Sequence, residues 1–302
     1  MQNVVARRRR ARPRRVRPSS RGANSRTLIV PHRARVATLA MSRAPSSPSR
    51  VALSRRPPPP ARPRQRDAAR AMPKIELGYW PIRGLGAPAR MLCEYAGADY
   101  ADVNYADAGS WFAGKKPELA SGNALINLPY VECDGQVVTH SSVVLEFLGQ
   151  VTGVDAFASE DHRWANAQAL AEIYDLRNAL MGVVYPFNGK TTTKEAFEKN
   201  CDDHMNATVG KFYAKFETLL KQRGMEFLIR DAPSSADFHL FEMLDQHEII
   251  ANRRGMKSPL ETFPELKRYH ANFKALPQLE KYFASAAYAL PMNSIGGGAW
   301  IY

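Results

Sequence analysis

The sequence predicts an α/β domain followed by an all-α domain, and three observations carry that expectation. Between residues 74 and 150, short alternating apolar runs are interleaved with helical runs in the order β-α-β, an irregular stretch, then β-β-α. From Asp161 onward the apolar residues recur at helical spacing throughout. The first 71 residues follow neither period. The chain therefore divides into an extension over 1–71, an α/β domain over 72–154 and a helical domain over 161–302.

The first strand is "KIEL", with Ile75 and Leu77 on one face and Lys74 and Glu76 on the other. It runs into "GYWPIRGLG", Gly78–Gly86, a loop rich in Pro and Gly that holds an arginine, Arg83, of buried character. Ala87–Ala96 reads as a helix: Met91, Leu92, Tyr95 and Ala96 share a face, and Gly97 supplies the stop. "YADVNY", Tyr100–Tyr105, is a second strand, and a polar region with Trp111 and "GKK" follows. "LPYVEC" and "QVVTH" are joined by Asp134-Gly135, a strong hairpin signal. "SSVVLEFLG" closes the block as a helix capped by Ser141 or Ser142. This order is the layout of the thioredoxin-like fold, a mixed sheet with helices packed on it. Beyond it, helices are expected over 161–185, 194–222, 235–250, 264–275 and 278–287. "SSAD", Ser234–Asp237, reads as a capping box opening the third of them.

Charge is distributed unevenly. Residues 1–71 hold twenty Arg, no Lys and one acid, Asp67, a charge of +19. The whole chain carries +13, so the remainder carries −6, and a basic pI describes the extension alone. With "RRRR" at Arg7–Arg10 and "PPPP" at Pro57–Pro60, that extension has too little apolar surface to fold and reads as disordered. Its composition matches a mitochondrial or plastid transit peptide. Nucleic-acid binding rests on "RRRRARPRR" alone, with no interleaved aromatics for stacking. A third reading is that the segment does not belong to the working protein, since "MPKIELGYW" begins at Met72. No apolar run approaches the roughly 20 residues of a membrane helix. Cys93, Cys133 and Cys201 are too scattered for a disulfide framework and form no C-x-x-C, which fits a reducing compartment.

Three features of chemical appearance are set aside. "CDDH", Cys201–His204, reads as a solvated helix face with no distant partner ligands. His239 and His247 are eight residues apart, about 12 Å along a helix, too far to share an ion. "GGG" at Gly296–Gly298 follows no strand and is not a phosphate loop. No metal is expected.

The loop after the first strand differs from these. A redox enzyme of thioredoxin-like fold carries C-x-x-C there; this chain carries Tyr79 and no cysteine, which excludes disulfide exchange through that loop. A phenol with pKa near 10 is a poor nucleophile at neutral pH but a good hydrogen-bond donor. Aimed at a thiol of ordinary pKa about 8.5, a bond to the charged form of about 1.5–3 kcal/mol lowers the thiol by one to two pH units. Nearby, "NLPY", Asn127–Tyr130, puts Pro129 before a strand, a place for a cis bond that exposes the Leu128 backbone. "THSSVV" presents hydroxyls and amides at a helix N-terminus, suited to a carboxylate. With Lys115 and Trp111 these suit an extended peptide bearing two carboxylates and a central thiol, a description that glutathione meets.

"LGYW-x-IRGL", "NLPY", "S-x-x-D" and "FPELKRY" occur in that order over residues 72–302, and here the chain resembles cytosolic glutathione transferases of the tyrosine type, mu class with sigma-like features. The resemblance implies that Tyr79 is the catalytic tyrosine donating to the glutathione sulfur. It implies that Trp80 and Lys115, with Trp111 beside them, grip the glycyl end, and that Leu85 and Asn127 line the groove. Leu128, before Pro129, would pair its backbone with the cysteinyl unit, and His140 and Ser141 would receive the γ-glutamyl group. Asp175 matches an acid that reaches that group from the other subunit of a homodimer, and Tyr185 matches a residue facing the electrophile. Four positions depart from the mu pattern. His140 stands for Gln, and the stretch between Tyr105 and Trp111 is too short for the mu loop. Ala108 stands for an arginine, and Leu125 for the aromatic that plugs into the partner.

The expected function is attack of the glutathione thiolate on soft hydrophobic electrophiles, a detoxifying conjugation, with the electrophile pocket near Met181 and Tyr185. The alternatives are a glutathione-dependent isomerase or peroxidase, and a non-catalytic ligand-binding relative. Glutathione is the expected co-substrate and the expected place is the cytoplasm, or mitochondrion or plastid if the extension is a transit peptide. Partner membranes or nucleic acids are not expected.

Overall fold

The computed structural model describes residues 73–185, 191 and 193–293, so the expectations for 1–71 and for Gly296–Gly298 lie outside the described residues. The α/β part contains β1 (Ile75–Tyr79), α1 (Gly86–Ala96), β2 (Tyr100–Asn104), α2 (Lys116–Ala120), β3 (Tyr130–Cys133), β4 (Gln136–Thr139) and α3 (Ser141–Val151). Their strands form one mixed sheet of order β2-β1-β3-β4, with β1 parallel to β2 and antiparallel to β3. This is the thioredoxin-like arrangement that the β-α-β-β-β-α order predicts. The central position of β1 follows from its composition: Ile75 and Leu77 are fully buried, under α1 and α3. Its end is therefore a rigid place from which to present a side chain.

Local chemistry explains the turns. Asp134 and Gly135 both have positive φ, 51° and 78°, the type I′ hairpin geometry that matches strand twist. Gly97, at φ 63°, ends α1 in the left-handed conformation, and its N–H donates to the Glu94 carbonyl at 3.0 Å. One expectation is corrected at α3. Neither Ser141 nor Ser142 is its cap; His140 holds that place at φ 68° and offers no side-chain bond. β4 reverses into the helix within that single residue, so Ser141 already sits in the first turn.

The helical part contains α4 (Glu160–Val184), α5 (Lys194–Asp203), α6 (Val209–Arg223), α7 (Ser235–Arg253), α8 (Pro264–Lys274) and α9 (Glu280–Phe283). The helix expected over 194–222 is continuous apart from a π turn at His204–Thr208. The one expected over 278–287 shrinks to four residues after a 3-10 turn, because Ser285 folds back and donates its Oγ–H to the Tyr282 carbonyl at 2.7 Å. α7 is buried along nearly its whole length, and its capping box is built as predicted. Asp237 accepts from the Ser234 N–H at 2.8 Å and hydroxyl at 2.7 Å, while its other oxygen accepts from the Leu228 N–H at 2.9 Å.

"CDDH" is a second correction. Cys201 and His204 are buried in the helical core rather than solvated, and only the two acids look outward. His204 Nε2 lies 3.1 Å from Nε2 of His247 on α7, whose Nδ1 lies 3.1 Å from the Tyr213 hydroxyl. Two imidazolium rings would both be donors across that contact, so the bond requires at least one neutral ring, and burial disfavours a charge on either. Burial lowers His204 to about 4, and burial with the neighbouring ring lowers His247 further below its usual value. Both folded values lie below the unfolded value near 6.5, so the stability they contribute is complete above 6.5 and is lost as pH falls toward 4. Each ring then costs about 1.4 kcal/mol per pH unit. Urea midpoints measured at pH 7 and pH 5 will show the fall, and His204→Leu will flatten it.

Candidate active site

Tyr79 is the last residue of β1, and the loop after it wraps its ring. The side chain is only 4% exposed. Its hydroxyl accepts the Leu85 N–H at 3.0 Å, and among the described residues its own proton meets no acceptor. Burial lifts the phenol above its ordinary value, against the pull of the Leu85 bond and of the Arg177 and Arg90 charges. At neutral pH it is therefore a protonated donor with one lone pair already engaged.

The glycines of "RGLG" make that seat possible. A Cβ on Gly84, whose φ is 40°, would lie 2.8 Å from the Tyr79 hydroxyl, and one on Gly86 would lie 2.5 Å from Tyr79 Cδ1. Gly86→Ala should therefore displace the ring and cut turnover at least several-fold, while the circular dichroism of the sheet is preserved. Arg90, fully buried on α1, holds the same loop from below. It donates to the Ile82 carbonyl at 2.8 Å and the Trp80 carbonyl at 3.3 Å, and pairs with Asp102 at 2.9 Å.

The loop is also clamped from the helical side. Arg83, 2% exposed, pairs at 2.7 Å with Glu242 and at 2.7 Å with Asp245 on α7. The Tyr288 ring lies 4.5 Å from its guanidinium. The backbone N–H groups of Arg83 and Gly84 donate to the carbonyls of Pro291 and Met292 at 2.8 and 2.9 Å. Burial opposes the Arg83 charge, but the two carboxylates outweigh it and hold the guanidinium protonated.

A second group of residues gathers at the β3 edge. The Leu128-Pro129 bond is cis. Half-buried Leu128 makes no hydrogen bond among the described residues. Thr139, which sequence reasoning passed over, ties this corner together: its Oγ1 accepts the Asn127 N–H at 3.1 Å and donates to the Asn127 carbonyl at 2.7 Å. The next two residues are His140, exposed, and Ser141, buried in the first turn of α3. The first-turn amides there have no intrahelical acceptor, so this helix N-terminus points its donors at the cis-Pro corner's neighbourhood.

The third group is looser. Trp111 is fully buried, stacked on Tyr130 at 5.8 Å, and its Nε1 is a buried donor with no partner among the described residues. Lys115 is paired with Glu118 at 2.9 Å on the surface. Trp80 is half-buried, 6.3 Å from the exposed ring of Phe112. Met181 on α4 and Tyr185, the residue just past its end, are half-buried, and Tyr185 opposes ionisation of Tyr79. Asp175 is exposed on the same helix. Arg177, also missed, is half-buried one turn before Met181 on the same helix. Among the described residues no group of three or more His, Cys, Asp or Glu could hold a metal ion.

Comparison with known proteins decides the family. The model of the glutathione S-transferase N-terminal domain matches residues 75–150, and that of the C-terminal domain matches 174–286. A class-mu 26 kDa glutathione S-transferase isozyme of Fasciola hepatica is 31% identical, over 74% of this chain and 96% of its own length. The chain belongs to the glutathione S-transferase family. Human glutathione S-transferase P is 28% identical over 74% of this chain and 99% of its own. Among solved structures, the glutathione S-transferase Blo t 8 superposes with a TM-score of 0.63 at 25% identity, covering 72% of this chain and 96% of that one. Membership makes this chain a glutathione S-transferase enzyme by family, with glutathione as the family's co-substrate.

Proposed function

We propose that this enzyme adds the glutathione thiolate to soft, hydrophobic electrophiles, with Tyr79 as the catalytic donor. The observation that carries the reading is the Tyr79 hydroxyl: protonated, steered by the Leu85 N–H, and with a proton free to give. The thiol loses its proton to water, and the phenol then donates to the sulfur anion, which is stabilised before it attacks.

The remaining contacts follow the tripeptide. Leu128, without a hydrogen bond among the described residues beside cis-Pro129, pairs with the cysteinyl backbone, and Leu85 and Asn127 flank it. His140, Ser141 and the α3 N-terminus take the γ-glutamyl carboxylate. Trp80, Trp111 and Lys115 take the glycyl carboxylate. The unpartnered Trp111 Nε1 favours this, and Lys115 exchanges Glu118 for the ligand. The electrophile lies against Met181 and Tyr185. The reading takes the chain as a homodimer of mu-like character, in which Asp175 reaches the partner's site from its exposed position on α4. Leu125, 71% exposed, stands where the family's aromatic key inserts. The enzyme is assigned to the cytoplasm, with detoxification as its role.

Full-length protein incubated with glutathione and chlorodinitrobenzene should form the conjugate, and calorimetry should show glutathione binding. Binding without conjugation to any of a panel of aryl halides and enones would overturn the conjugation reading.

A further inference from the structure

The outer face of the sheet carries a hydrogen-bonded aromatic cluster. Strand alternation sends Ile75 and Leu77 to the helices, so Glu76 and Gly78 face the other way, and Tyr130 on β3 lies directly opposite Gly78. The Tyr130 ring rests on bare backbone there, and a Cβ on Gly78 would overlap it at Cε1. Its hydroxyl donates to Glu76 Oε1 at 2.6 Å, and the Tyr105 hydroxyl lies 2.9 Å from it. Because the Tyr130 proton is committed to Glu76, Tyr105 is the donor in the second bond, which orders the chain Tyr105 to Tyr130 to Glu76. The two rings clasp Trp111, stacked on Tyr130 with 14° between the planes and centred 5.1 Å from the Tyr105 ring. Trp111 is fully buried, yet its Nε1 meets no acceptor among the described residues, and it lies in the π turn Ser110–Lys115 that also carries Lys115. Trp80 and Leu128 pack against the same cluster, which is separate from the main core.

We propose that Glu76, Tyr130 and Tyr105 are positioning residues for glutathione: their ordered bonds fix both phenol rings, and the rings fix Trp111 and its turn as the seat of the glycyl carboxylate. This rests on the reading that Trp111 and Lys115 take that carboxylate. A buried ring anchored at its hydroxyl cannot slide in its own plane, so the indole stacked on it keeps one orientation. Without the anchor the rings still bury their area, but the Nε1 donor and the turn behind it lose their fixed aim. The cysteinyl end of the site is held separately, by the Tyr79 loop and by Thr139 at the cis-Pro corner. The effect of the chain is therefore confined to the glycyl end.

The test compares, by calorimetry on the full-length protein, the affinities of glutathione and of γ-glutamylcysteine, which lacks the glycyl unit. Wild type is measured beside Tyr130→Phe, Glu76→Leu, Glu76→Gln and Lys115→Ala. Wild type should prefer glutathione, and Tyr130→Phe and Glu76→Leu should each shrink that preference by roughly three- to tenfold, with γ-glutamylcysteine bound about as before. Glu76→Gln keeps an acceptor for the Tyr130 proton and should retain most of the preference. Should Tyr130→Phe fold poorly, Glu76→Leu at its half-buried strand position gives the same readout. A general loss of scaffold would weaken both peptides together, so equal losses overturn the inference. If Lys115→Ala shrinks the preference and neither Tyr130→Phe nor Glu76→Leu does, the inference is overturned and the glycyl reading stands. If wild type shows no preference, or Lys115→Ala leaves it intact, the glycyl reading falls and the inference falls with it.

Discussion

Tyr79→Phe should lower the rate of glutathione conjugation at pH 6.5 by roughly 10- to 100-fold, with little change in glutathione affinity. The magnitude follows from a hydrogen bond to an anion, about 1.5–3 kcal/mol, lost only where the sulfur is ionised. The pH dependence has a definite sign. Above the thiol's ordinary pKa of about 8.5 the thiolate forms without help, so the gap between wild type and variant should narrow as pH rises. Phenylalanine also leaves the Leu85 N–H without its acceptor, so thermal unfolding should be recorded alongside. Equal rates across the pH range would show that the thiolate is stabilised elsewhere.

Arg83→Met should have the largest effect on stability. It removes the guanidinium and leaves Glu242 and Asp245 as adjacent carboxylates in a buried site, a loss of about 3–5 kcal/mol. For a folded part of this size that corresponds to a melting temperature lower by about 10 °C. The same loop carries the Gly84 and Arg83 amides that bind the Pro291 and Met292 carbonyls, so turnover should fall as well. Glu242→Gln in the same background should recover part of the loss, since it removes one unpaired charge. A melting temperature within a degree or two of wild type would mean that the cluster does not hold the loop.

Much of this was readable from the chain because it is local. Tyr79 at a strand end, the Asp134-Gly135 turn, the Gly97 stop and the Ser234–Asp237 box each depend on neighbours a few residues away. The buried character of Arg83 was also legible, from its place among glycines and apolar residues. Its partners were not, because Glu242 and Asp245 lie far along the chain and hydrophobic period reports only on a residue's own element. The same limit hid the His204–His247 contact, made across two helices, and so made "CDDH" look like a solvated face. Thr139 read as an ordinary strand residue; only the fold brings its hydroxyl to the Asn127 backbone.

The most direct measurement is the ultraviolet titration of glutathione bound to the wild-type protein. The account predicts that the bound thiol is half-ionised well below its ordinary value of about 8.5, close enough to neutrality that the thiolate is abundant at pH 7. A bound thiol that still titrates at or above that value would contradict it, because Tyr79 would then hold the peptide without stabilising its sulfur.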